Sequence, residues 1–233
     1  MTPLLLVPGW SFDGRVFDRL RSVLDTPAQV VELPGHGGAA DPRYEDLAGV
    51  ATPVIDAAPD DAVWVGWSLG GTVALEALRR GKPLRGVALI GATPRFTMDI
   101  DWPCAVPAAE LTAMRAGLAR SPAATVRRFR RRLGQVSAAD AAAVTDPCTA
   151  SPVGLAAGLA ALAEADLRQA PAGAVPSLWL GGGQDPLVPP AALQRAAEGC
   201  DGQLRILEGA GHLPHCTHAT AVAQTIHAFL EEI

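Results

Sequence analysis

The sequence is short of most features that classify a chain at a glance, and each shortage excludes something. Its four cysteines, Cys104, Cys148, Cys200 and Cys216, lie far apart with no C-x-x-C pair. Neither a zinc site nor a disulfide framework is suggested, and free thiols of a reducing compartment are expected. No stretch approaches the ~20 apolar residues that a membrane-spanning helix needs. The opening run Leu4-Leu5-Leu6-Val7 is too short for the apolar core of a secretion signal, and no basic segment precedes it. A cytoplasmic protein is therefore expected. There is no basic excess either: the net charge is −5, which argues against nucleic acid as a partner. No internal repeat and no long linker divides the 233 residues, so one domain with an inserted segment is the expectation.

Short runs rich in valine, leucine and isoleucine alternate with helical patterns. That rhythm predicts an α/β domain with a mainly parallel sheet flanked by helices. Strands are predicted over residues 3–7, 29–33, 62–66, 84–90, 177–180 and 204–207. Helices are predicted over 15–24, 44–57, 69–80, 187–198 and 219–232, with Gly81 as the C′ stop of the third. The strand rhythm ceases between residues 96 and 167, where proline-punctuated helical patterns take over. The expected organisation is a core of residues 1–95 and 168–233 with a helical cap, 96–167, over the carboxyl ends of the strands.

The run Val63-Trp64-Val65-Gly66-Trp67-Ser68-Leu69-Gly70-Gly71 reads as strand, G-x-S-x-G turn and helix start. This is the setting of a nucleophile elbow, in which the serine hydroxyl stands clear of the backbone. A serine needs a base, and the base needs an orienting carboxylate. Asp185 lies in a glycine-rich loop after one strand and His212 in a glycine-rich loop after the next. The order Ser68, Asp185, His212 places all three at strand carboxyl ends, so they are the candidate catalytic residues. The backbone N–H groups of Trp10, after the first strand, and Leu69, after the serine, are the candidate oxyanion hole. Blander readings stand beside these. Asp185 could cap a helix starting at Pro186, with Asp166 as substitute acid, and His212 could be a core histidine. His215, His218 and His227 are expected at surface or helix positions, and His36 in a loop-holding turn. Metal ligation by His212, His215 and His218 is disfavoured by their proline-containing loop, so no metal or organic cofactor is expected.

The segment from Ser121 to Gly134 predicts a cap helix, with Ser121 as N-cap, Pro122 at N1 and Gly134 as C′ stop. Val126, Phe129 and Leu133 form one stripe on it, with most arginines pointing away. From Leu111 to Arg132 there are seven arginines and no acidic residue. A solvated face, a docking site for an acidic protein and a membrane-surface contact all fit that cluster. Packing between cap and core is the expected role of Phe129, Trp102, Trp67 and Phe96, with lining of an apolar acyl channel as the alternative.

Taken together these residues resemble the α/β-hydrolase superfamily across essentially the whole chain. More narrowly they resemble the pimeloyl-[acyl-carrier protein] methyl ester esterases of biotin synthesis. The likeness is carried by Trp64-Val65-Gly66-Trp67-Ser68-Leu69-Gly70-Gly71, Glu32-Leu33-Pro34-Gly35, Asp101-Trp102-Pro103, Thr125-Val126, Arg128-Phe129, Asp166-Leu167-Arg168-Gln169, Gly183, Asp185, Leu187-Val188-Pro189 and Ala210-Gly211-His212. The resemblance implies Ser68 as nucleophile, His212 as base and Asp185 as its partner. It implies substrate contacts at Trp10, Ser68, Leu69, Phe129 and His212. It further implies a monomer that meets the acyl-carrier protein through cap arginines; Arg128 falls on a matching position, with Arg127 and Arg131 beside it. Pro8-Gly9 stands where the superfamily usually has His-Gly, and the cap arginines are bunched in one helix. A general short-chain carboxylesterase, or a capped lyase or carbon–carbon hydrolase of the menaquinone-synthesis type, is the alternative.

Overall fold

The computed structural model describes residues 3–170 and 175–233; residues 1–2 and 171–174 of the expected core lie outside them. Six strands form one parallel sheet in the order β2-β1-β3-β4-β5-β6. They are β1 Leu4–Val7, β2 Ala28–Val30, β3 Val63–Trp67, β4 Gly86–Ile90, β5 Ser177–Gly182 and β6 Gln203–Leu207. β1, β3 and β4 are buried along their whole length because helices cover both faces of the sheet. β2 and β6 are edge strands and are correspondingly more exposed. The chain runs from β1 outward to β2, then returns to place β3 on the other side of β1. That reversal opens a crevice at the carboxyl ends of β1 and β3, where open α/β sheets bind ligands.

The helices are α1 Asp18–Arg21, α2 Leu47–Ala57, α3 Leu69–Arg79, α4 Ala108–Arg120, α5 Pro122–Leu133, α6 Ala138–Ala143, α7 Pro152–Glu164, α8 Pro190–Glu198, α9 Pro214–Thr217 and α10 Ala219–Glu231. Local chemistry explains where they depart from expectation. α2 starts at Leu47 rather than residue 44 because the Asp46 carboxylate accepts from Gly49 N at 2.6 Å. The first predicted helix is a 3-10 turn, Gly14–Phe17, capped by Asp13 and followed by the short α1. α8 begins at Pro190 rather than residue 187, because Pro189 holds the extended backbone that proline imposes on its predecessor. Gly134 is the C-cap of α5 at φ −76° rather than a left-handed C′ residue.

Helices α4 to α7 all lie between β4 and β5. α7 is buried on most sides and packs against α2, α3 and α4. No helix among the described residues is long and apolar enough to cross a membrane.

Candidate active site

Strand β3 delivers Ser68 at φ +53°, ψ −118°, a left-handed conformation that a non-glycine residue rarely adopts. The turn is tolerated because the residues two positions to either side, Gly66 and Gly70, lack side chains. A Cβ on Gly70 would sit 2.1 Å from the Val7 carbonyl oxygen, so only glycine lets α3 start this close to β1. Ser68 N donates to Ile90 O at 2.9 Å, tying the elbow to the end of β4. The next residue, Gly91, lies directly against the His212 ring: its notional Cβ is 3.1 Å away. Elbow and histidine are thereby brought to the same edge of the sheet.

His212 and Asp185 are both buried, and His212 Nδ1 meets Asp185 Oδ2 at 2.7 Å. With Nδ1–H donating to the carboxylate, Nε2 is left as an acceptor. Nε2 is buried and has no hydrogen-bond partner among the described residues. The other Asp185 oxygen accepts from Leu187 N at 2.8 Å and Val188 N at 3.0 Å. Asp185 thus holds its own loop and the imidazole together, one oxygen for each. Asp166, the substitute acid, is instead engaged by Arg95 and Arg168; the Arg168 hydrogen bond, with that from Arg95, draws its pKa down to about 2.

The Trp10 and Leu69 N–H groups have no acceptor among the described residues. Leu69 also stands at the first position of α3, where the helix dipole favours negative charge. Trp10 is fixed through its side chain: Nε1 donates to Leu155 O at 2.8 Å, and the ring meets Phe129 edge-on at 4.9 Å. A cleft of about 230 Å³ opens above Ser68, with Trp10, Phe96, Val106, Met114, Phe129, Leu159, Leu162 and Leu187 among its walls. Arg128, Arg132 and Glu110 also line it, with Arg132 paired to Glu110 at 2.6 Å. Two roomier clefts, of about 620 and 850 Å³, contain none of Ser68, Asp185 and His212.

The aromatic and histidine side chains divide between the cleft and the packing around it. Trp67 and Trp102 do not line the cleft above Ser68. Trp67 turns away from it, donating through Nε1 to His212 O at 2.8 Å and packing on Phe12. Trp102 lines the 620 Å³ cleft. His215 lies in the helix α9, fully buried against Phe17 and Trp67. Burial, with His212 nearby, pushes its pKa down to about 3. His36 holds loops, its Nδ1 at 3.0 Å from Pro34 O and its Nε2 accepting from Ser11 N at 3.2 Å. Among the arginines, Arg127, Arg128 and Arg131 are exposed with no carboxylate within 4 Å among the described residues, whereas Arg130 is buried. Arg130 is the residue that sequence reasoning missed. Its signal was present, since it follows Val126 by four residues and shares the apolar stripe.

No group of three or more potential metal-ligating side chains occurs among the described residues. Residues 4–225 match the model of an alpha/beta hydrolase family. The chain is 38% identical to a pimeloyl-[acyl-carrier protein] methyl ester esterase of Xanthomonas campestris pv. campestris, covering 97% of this chain and 94% of that one. It is 36% identical to the enzyme of the same name from Xanthomonas oryzae pv. oryzae, covering 99% and 95%. In structure it is similar to a bromoperoxidase from Bacillus anthracis, with a TM-score of 0.85 at 19% identity, over 99% of this chain and 92% of that one. That last likeness speaks for the fold alone. The chain belongs to the alpha/beta hydrolase family and, by its full-length likeness, groups there with the pimeloyl-[acyl-carrier protein] methyl ester esterases.

Proposed function

We propose that this chain is a serine carboxylesterase that hydrolyses the methyl ester of pimeloyl-acyl-carrier protein in biotin biosynthesis. In this reading it acts as a monomer in the cytoplasm and uses no metal or organic cofactor. The full-length likeness to esterases of that name supports the substrate. The observation that carries the chemistry is the buried Asp185–His212 pair, with its free Nε2 at the same sheet edge as the elbow serine.

In the proposed cycle Ser68 Oγ attacks the ester carbonyl while His212 Nε2 takes its proton. Asp185 holds the imidazole in the required tautomer and stabilises the imidazolium. The Trp10 and Leu69 N–H groups receive the developing oxyanion. His212 returns its proton to the departing methoxide, methanol leaves, and water cleaves the acyl-enzyme by the same route. The cleft above Ser68 lies below the ~300–1,000 Å³ usual for drug-sized ligands, which suits one unbranched acyl chain. The exposed Arg127, Arg128 and Arg131, with no carboxylate within 4 Å among the described residues, are proposed to hold the acidic carrier, and Arg128 also lines the cleft.

Hydrolysis of methyl pimeloyl-carrier protein and of a free methyl ester, compared for the native protein and Ser68→Ala, tests this reading. The substitution is expected to lower kcat about 10⁴-fold or more on both substrates. Retained turnover in Ser68→Ala would remove Ser68 as nucleophile. Equal kcat/KM for carrier-bound and free esters would reduce the function to that of a general carboxylesterase.

A further inference from the structure

Arg130 is an oddity within the cap cluster. It is only 6% exposed, yet no carboxylate lies within 4 Å of it among the described residues. Its guanidinium is used on main-chain groups instead. Nη2 donates to the Ser11 carbonyl, Nη1 donates to the Asp146 carbonyl, and Nε lies 3.4 Å from Ser11 Oγ. The cation sits 4.0 Å from the centre of the Phe12 ring. Burying an arginine this way is costly, and an apolar residue would fill the same stripe without the cost.

The partner of Arg130 is equally unusual. Gly9, Trp10, Ser11 and Phe12 form a turn closed by Phe12 N donating to Gly9 O at 3.2 Å. Ser11, third in that turn, has φ +68° and is fully buried. Positive φ at the third position alone marks a type II turn, which ordinarily carries glycine or asparagine there. Serine favours type I, in which the central Trp10–Ser11 peptide is rotated. Here both sides of Ser11 are gripped. Its N–H, part of that central peptide, donates to Nε2 of the buried His36, and its C=O accepts from Arg130.

We infer that Arg130, together with His36, is a positioning residue that holds the Gly9–Phe12 turn in its type II form and so aims the Trp10 N–H at the reacting carbonyl oxygen. Because Arg130 belongs to α5, seating that helix and assembling the oxyanion hole become one event. Without the clamp Ser11 relaxes from its positive φ and the turn shifts with it, so the Gly9–Trp10 peptide that carries the donor N–H loses its fixed place and the hole loses one donor in part. The inference rests on the serine-esterase reading above, but not on the identity of the acyl group.

The test uses a p-nitrophenyl ester, so that it stands apart from carrier recognition. Arg130→Met is expected to lower kcat about 10- to 100-fold, a share of the loss seen when an oxyanion donor is deleted, with KM changed less than about threefold. Affinity for a trifluoromethyl ketone, which forms the oxyanion on binding, should fall by the same factor as kcat. Ser11→Gly in the Arg130→Met background should restore kcat, since glycine adopts φ +68° unaided. His36→Leu, with and without Ser11→Gly, repeats the test from the other side of the clamp should Arg130→Met fail to fold. Unchanged kcat in a folded Arg130→Met or His36→Leu protein, or a loss that Ser11→Gly does not relieve, overturns the inference. Loss of all ester turnover in Ser68→Ala beside native-like Arg130→Met would fault the clamp and leave the esterase reading standing.

Discussion

At the residue scale, one aromatic ties the serine turn to the histidine loop. Trp67 precedes the serine, and its indole reaches behind the catalytic edge to the His212 carbonyl. This makes it a brace for the histidine loop rather than a wall of the cleft above Ser68. Its other neighbour, His215, is buried without any polar partner on either ring nitrogen among the described residues. Desolvation holds the folded-state pKa of His215 at about 3, against an ordinary value of 6.5. Between those values the unfolded chain binds a proton that the folded chain does not. The contribution of His215 to stability is therefore complete above pH 6.5 and declines as pH falls towards 3, by at most ~1.4 kcal/mol per pH unit. Replacing it with phenylalanine should flatten that decline, so that Tm at pH 4.5 falls less than in the native protein. Parallel Tm–pH curves for the two would dismiss His215 as a source of acid sensitivity. Cys216 shows the opposite face of burial: its thiol is pushed up to about 12, which predicts sluggish alkylation by iodoacetamide at pH 8 in the folded protein.

At the element scale, helix ends were read from sequence with uneven success, and capping chemistry explains why. α3 closes as a full Schellman motif, with Gly81 N donating to Leu78 O and Lys82 N to Ala77 O. Gly81 has φ +74° and nothing within 4 Å of a notional Cβ. Gly81→Ala should therefore cost about 1 kcal/mol of stability through conformation alone, seen as a lower urea midpoint with unchanged m and unchanged kcat. A loss of activity there would mean that the end of α3 communicates with Ser68. The start of α8 was legible only in part. Asp-Pro at 185–186 reads as a cap, and Asp185 Oδ1 does accept from Leu187 N and Val188 N, but the Pro189-Pro190 pair fixes the helix start, while Oδ2 meets His212. In α5 the apolar stripe was legible, whereas the burial of a charge within it was not. Periodicity places Arg130 on the inward face, but only the arrival of the Ser11 and Asp146 carbonyls makes that position acceptable for a guanidinium.

At the scale of the whole molecule, charge is unevenly spread. A chain of net charge −5 carries seven arginines between Leu111 and Arg132 without one acidic residue. Glu110 balances Arg132, and Arg130 is buried, so Arg115, Arg120, Arg127, Arg128 and Arg131 remain exposed, and of these Arg128 lines the cleft above Ser68. Steering of an acidic carrier by such a patch is screened by salt. For the carrier-bound ester, kcat/KM should fall as ionic strength rises from 0.05 to 0.5 M, roughly tenfold, while the free ester stays level. Arg128→Glu with Arg131→Glu should produce a similar selective loss at low salt. Equal effects on both substrates, or none, would leave the cluster as a solvated face.

What the sequence determined by itself is the part fixed by local pattern. Runs rich in valine, leucine and isoleucine became the parallel strands, and G-x-S-x-G between strand and helix became an elbow at φ +53°. The order of Ser68, Asp185 and His212 was likewise legible, because each follows a strand and strand ends share one edge. Only the tertiary structure decided which way the side chains beyond those ends would turn. Trp67 and Trp102 left the cleft, His215 went inside, and Arg130 closed on Ser11. The reason is that such choices depend on what each group meets from distant parts of the chain. An indole N–H needs a carbonyl, a buried guanidinium needs several, and a strained turn needs partners on both sides. Those partners come from residues tens to more than a hundred positions away, and spacing along the chain does not encode them.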